Sequence, residues 1–75
     1  MNASYETLTE LKVEVEGLSF IGRYRVMHGT VIVYYESEIK FASHGMTEPV
    51  RVAKWILADL VRRVEFRKKR TSGTG

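Results

Sequence analysis

Two histidines and a neighbouring glutamate form the cluster of this 75-residue chain that is best suited to bind a metal ion or move a proton. The predicted strands place His28 and His44 at one end of a sheet, and Glu48 lies near them at a helix start. Two imidazoles and a carboxylate suit a transition metal. However, no His-x-x-x-His spacing is present, and histidines in turns are commonly plain polar turn residues. We therefore expect no metal site.

Sequence motifs for nucleophilic catalysis and phosphate binding are absent. The chain contains no G-x-S-x-G, no P-loop and no G-x-G-x-x-G pattern. It has no cysteine, which excludes disulfides and thiolate metal sites. Its strand and turn glutamates would need a pocket to shift their pKa values, and a domain of this size has little room for one. We expect no catalytic residues, no cofactor and no small-molecule substrate.

The elements that would position any site follow from the spacing of apolar residues. Alternation of apolar with polar residues predicts strands, and a 3.6-residue period predicts a helix. The predicted fold class is α+β, an antiparallel four-stranded β-meander followed by one long C-terminal α-helix packed on one sheet face. The predicted strands cover residues 10–16, 22–28, 30–36 and 39–43, and the helix covers 48–66. Residues 1–70 form one predicted domain, with 1–8 a loosely ordered lead-in and 71–75 a flexible tail.

The pair at 28–29 predicts a tight hairpin between the second and third strands, because a glycine-containing two-residue linker favours such turns. This register places Val26 opposite Val31, and a one-residue slip would mix the two faces of the sheet. A second turn is predicted at residues 37–38. It would place Phe41 opposite Tyr34, whereas a longer turn would move Phe41 to the other face.

Apolar surface is predicted to exceed what one helix can cover. A helix of 19 residues is about 28 Å long, and strands of six residues are about 20 Å. We expect a homodimer, because a small core is marginal and contiguous exposed apolar surface usually marks an interface. The alternative is a monomer in which arginine stems shield the second face. The residues of the predicted dimer or partner face are Met27, Ile32, Tyr34, Phe41, Trp55 and Phe66. The sequence leaves open whether the sheet face or the helix forms the dimer.

Charge is distributed unevenly along the chain. Residues 1–38 carry a net charge of −3, residues 39–75 carry +6, and residues 62–70 alone carry +5. A nucleic acid is therefore the alternative partner, although the aromatic motif of RNA-recognition sheets is absent. The residues that could contact a polyanion are Arg23, Arg25, Arg62, Arg63, Arg67, Lys68, Lys69 and Arg70. The competing interpretations are a solvated helix end and an ion-pairing surface for a partner subunit's glutamates.

Composition and hydropathy are typical of a soluble globular domain, with 44% hydrophobic and 28% charged residues. No apolar run approaches the roughly 20 residues that cross a bilayer. The first residues lack the basic and apolar regions of a signal peptide. We expect a cytoplasmic location and no membrane partner.

Overall fold

A computed structural model describes residues 8–74, with side chains as far as Lys68. The chain forms four strands and one helix in the order predicted, which confirms the α+β fold class. The elements are β1 (Thr9–Val15), β2 (Leu18–Met27), β3 (Thr30–Tyr35), β4 (Glu38–Ser43) and α1 (Pro49–Thr74). The predicted lead-in at 1–8 lies, apart from Leu8, outside the described residues.

Two-residue turns connect the strands. His28 and Gly29 both have positive φ, at 50° and 79°, as a tight hairpin turn of this kind requires. Glu16 and Gly17 form an equivalent turn between β1 and β2. For this reason β2 begins at Leu18 rather than at the predicted residue 22, and residues 18–21 belong to the strand.

The strands pair in the order β1-β2-β3-β4, all antiparallel. The β2–β3 register matches the prediction, with Val26 opposite Val31. The third turn lies at residues 36–37, one residue earlier than predicted, because Tyr35 pairs with Glu38. Phe41 therefore lies opposite Ile32 rather than opposite Tyr34, and it stays on the face where the prediction placed it.

One face of the sheet packs against α1, and the core lies between these two layers. The sheet contributes buried side chains such as Val31 and Val33, and the helix contributes Leu57 and Leu60. Gly22 lets the helix approach β2 closely, because a Cβ at this position would lie 2.6 Å from Cδ1 of Leu57.

The helix is longer than predicted. It begins at Pro49, next to the predicted start, and proline is favoured at the first helical position because its missing N–H has no partner to lose there. It continues past residue 66 to Thr74 and so includes most of the predicted tail. Arginine and lysine are good helix formers, which allows the run at 67–70 to continue the helix. At 26 residues the helix is about 39 Å long, roughly twice the length of a six-residue strand.

Candidate functional site

The sheet face turned away from α1, here called the open face, carries large apolar side chains. Alternation along the paired strands places Ile21, Ile32, Tyr34, Ile39 and Phe41 on it. Phe41 is 68% exposed and Ile39 is 60% exposed. Four of the six residues predicted for the partner face meet here, since Met27 also lies on this face.

The other two predicted interface residues lie elsewhere. Trp55 and Phe66 are exposed on α1, which packs on the opposite side of the sheet. The single surface predicted from the sequence is therefore two surfaces. Ile21 lies just before the predicted start of the second strand at residue 22, and it was therefore not among the predicted interface residues. The alternation from Leu18 onward is the signal that could have found it.

The arginines of the open face have neighbours of their own. Arg23 lies opposite Glu10 in the β1–β2 register, so a carboxylate sits on the adjacent strand. The guanidinium carbon of Arg25 lies 5.7 Å from the centre of the Tyr34 ring, a cation–π distance. The Nε atom of Arg25 is buried and has no hydrogen-bond acceptor among the residues that the structure describes. The contact of Arg25 with Tyr34 reduces the ring surface that the open face offers to a nucleic acid, and Glu10 places a negative charge on the strand next to Arg23.

The basic end of the helix meets acidic residues of its own chain. Arg67 donates to Glu38 at 3.2 Å, and Lys68 donates to Glu36 at 2.8 Å. The hydrogen bond from Lys68 to Glu36 raises the pKa of the lysine, because it stabilises the charged form. The acids of the β3–β4 turn therefore partly neutralise the segment predicted to contact a polyanion.

A second ion-paired group lies halfway along the helix. Lys40 of β4 donates to Asp59 at 2.5 Å, and Nε of Arg63 lies 3.6 Å from the same carboxylate. The hydrogen bond from Lys40 lowers the pKa of Asp59. Among the eight predicted polyanion contacts, Arg62 is exposed, and no acid of the described side chains lies within ion-pair distance of it. The side chains of Lys69 and Arg70 lie outside the described part.

The hydroxyl of Tyr35 donates to Glu65 at 2.9 Å, which ties the end of β3 to the helix. Burial, then this hydrogen bond, then the charges of the nearby glutamates raise the pKa of Tyr35 to about 12. Glu65 also accepts from Lys68 at 3.4 Å. The carboxylate of Glu65 thus connects β3 to the helix.

A cleft of about 340 Å³ lies beside this contact, between the β1–β2 turn and the helix. Its walls are Val15, Glu16, Leu18, Phe20, Val61, Arg62, Glu65 and Phe66. The lining is mostly apolar and contains no histidine, cysteine or hydroxyl group. It contains no pair of groups arranged for nucleophilic or general acid–base chemistry.

His28 and His44 lie at the same end of the sheet, as predicted. The backbone N–H of His44 donates to the carbonyl of Gly29 at 3.1 Å. Within residues 8–74, no group of three His, Cys, Asp or Glu residues is arranged to hold a metal ion.

No family model, no curated protein and no solved structure matches this chain. In the part of the chain that the structure describes, no helix is both long enough and apolar enough to cross a lipid bilayer.

Proposed function

We propose that this chain is a non-catalytic, cytoplasmic interaction module that forms a homodimer through the open face of its sheet. The observation that carries the proposal is the apolar surface on that face, where Phe41, 68% exposed, lies opposite Ile32 and Ile39, 60% exposed, lies opposite Tyr34. Exposed apolar patches of this kind on small domains mark interaction sites.

The charges of the open face are compatible with a second copy. Glu10, Lys12 and Glu14 of β1 alternate on this face, and Arg23 and Arg25 lie on β2 beside them. The net formal charge of these five residues is +1. Two such faces with interspersed signs repel each other weakly, whereas a polyanion would meet the acids of β1 next to the arginines.

Edge-to-edge association through β4 is less favourable than packing through the open face. Lys40 on the edge strand β4 points toward the helix layer and is held there by Asp59. Inward-pointing charges on edge strands are a common protection against pairing with another chain. The β4 edge, next to which Phe41 and Ile39 lie, is therefore protected against pairing, and a partner of these residues would approach through the open face.

The area of the face sets the expected affinity. Four strands about 4.8 Å apart and six residues long span roughly 20 by 20 Å. Burial of this face on both copies removes on the order of 1,000 Å² of surface, which is at the lower limit for specific interfaces. We expect a dimer that dissociates in the micromolar range.

Sedimentation velocity over a range of protein concentrations tests the proposal. The native chain should change from monomer to dimer as concentration rises. Phe41→Glu should remain monomeric, because two buried carboxylates would face an apolar surface. Trp55→Glu is the matched control, since Trp55 is exposed to a similar degree on the helix, and it should dimerise normally. A native chain that stays monomeric, or a dimer lost only in Trp55→Glu, contradicts the proposal.

The same samples distinguish the alternative partner. A single-stranded oligonucleotide that binds the native chain, with binding weakened by Arg25→Gln and by salt, would assign the open face to nucleic acid instead.

A further inference from the structure

The outer side of α1 carries a row of cationic and aromatic side chains, here called the outer stripe. Arg51, Trp55, Arg62 and Phe66 are spaced by four, seven and four residues, which places them on one side of a helix. All four are exposed, Trp55 at 62% and Phe66 at 60%, and Arg62 and Phe66 also border the cleft beside the β1–β2 turn. The buried residues of α1 occupy the opposite side.

The helix layer is strongly positive and the rest of the chain is negative. Within α1, eight Lys and Arg residues stand against Asp59 and Glu65, a net formal charge of +6. Residues 1–48 carry a net charge of −3. Arg51 and Arg62 have no acid within ion-pair distance among the described side chains, and both are exposed.

We propose that the outer stripe binds the surface of an anionic lipid bilayer, with α1 parallel to the membrane and the sheet facing the water. Tryptophan favours the level of the lipid headgroups, where its ring is partly in an apolar environment. Lysine and arginine near the surface are attracted by anionic lipids. A straight stripe of about 22 Å, from Arg51 to Phe66, can contact a flat surface along its whole length.

The spacing of the two aromatic residues favours a bilayer over a nucleic acid. Trp55 and Phe66 are 11 residues apart, which is about 16 Å along the helix. Proteins that bind single strands stack successive bases on neighbouring aromatic rings, and this distance is too long for that arrangement. A bilayer surface imposes no such spacing.

This inference does not depend on the proposed dimer, because the open face lies on the other side of the molecule. The sequence-based expectation of no membrane partner rested on the absence of a spanning segment. A helix that lies on the surface needs no such segment.

The protein contains its own probe for this binding, because Trp55 is the only tryptophan. Its fluorescence should shift to shorter wavelength on addition of phosphatidylglycerol vesicles and should not shift with phosphatidylcholine vesicles. Brominated phosphatidylglycerol should quench the emission, and added salt should weaken the binding.

Paired variants separate the outer stripe from general charge and apolarity. Arg51→Gln with Arg62→Gln should weaken partitioning about thirtyfold, since each cation near such a surface contributes about fivefold. Phe66→Ser should also weaken it. Arg23→Gln and Ile39→Ser on the open face are the controls, and both should bind as the native chain does. Circular dichroism confirms that each variant is folded.

Three results would overturn the inference. The first is an unchanged Trp55 emission with phosphatidylglycerol vesicles. The second is an equal loss of binding in the control variants. The third is an emission change with an oligonucleotide and none with vesicles, which would assign the outer stripe to nucleic acid.

Discussion

Substitution of Gly22 by alanine tests how closely α1 packs on β2. Both proposed surfaces depend on this packing. The added Cβ would lie 2.6 Å from Cδ1 of Leu57 and 2.9 Å from the carbonyl oxygen of Tyr34. Carbon atoms in contact normally lie about 3.5–4.0 Å apart. Leu57 is fully buried and so has no room to turn away, and Tyr34 is held in the β2–β3 pairing.

The magnitude follows from two opposing effects. Overpacking of a well-packed core costs about 1–3 kcal/mol. Alanine lowers the conformational entropy of the unfolded chain relative to glycine, which stabilises the folded state by about 0.4–1 kcal/mol. We therefore expect Gly22→Ala to lower the free energy of unfolding by about 1–2 kcal/mol. With a slope of about 1 kcal/mol per molar urea, the unfolding midpoint should fall by about 1–2 M.

Urea unfolding followed by circular dichroism measures this difference. Ser19→Ala, at an exposed position on the same strand, is the control and should change stability by less than about 0.5 kcal/mol. Leu57→Val lacks both Cδ atoms, so Gly22→Ala should cost less in that background. If Gly22→Ala is as stable as the native chain, the helix does not rest on Gly22, and the assignment of the open face and outer stripe fails.

Three further predictions concern the contacts between sheet and helix. The pKa of Tyr35 is raised to about 12, so the folded chain keeps this hydroxyl protonated at a pH where the unfolded chain ionises it. Its contribution to the free energy of unfolding is therefore complete below about pH 10 and is lost as the pH rises toward 12. Tyr35→Phe should remove the last component of the tyrosinate absorbance titration. Asp59→Asn should lower the free energy of unfolding by about 0.5 kcal/mol at neutral pH, because it removes the ion pair with Lys40. This difference should disappear as the pH falls below about 4 and passes through the lowered pKa of Asp59. Urea unfolding at several pH values measures the difference, and a difference that stays constant would contradict the prediction. Replacement of Glu36 and Glu38 by glutamine should remove their ion pairs with Lys68 and Arg67, and the retention of the protein on a phosphocellulose column should increase. Unchanged retention would mean that these acids do not neutralise the basic end of the helix.

Local signals in the sequence specify most of the sheet. His28 and Gly29 form the turn that their position predicts, and the alternating residues beside them fix the register of β2 and β3. Glu16 in the first turn carries no comparable signal, because glutamate has no special preference for positive φ. For this reason the start of β2 was missed.

Local sequence patterns do not predict contacts between residues that are far apart in the chain. Arg67 and Glu38 are 29 residues apart, and Lys68 and Glu36 are 32 apart. Charge counting detects the basic segment, but only the packing of α1 on the sheet shows that its counterions come from the same chain. The separation of Trp55 and Phe66 from the other predicted interface residues has the same origin, since it depends on which sheet face the helix covers.

The strand order β1-β2-β3-β4 has a consequence for how the chain folds. Each strand pairs only with its neighbours in sequence, so the whole sheet forms from hairpins that close short loops at little entropic cost. Isolated hairpins form within microseconds but are only marginally stable in water. The helix supplies seven of the twelve buried core side chains. We expect folding to be limited by the docking of α1, with transition-state φ-values that are higher for Leu57 and Leu60 than for residues of the open face.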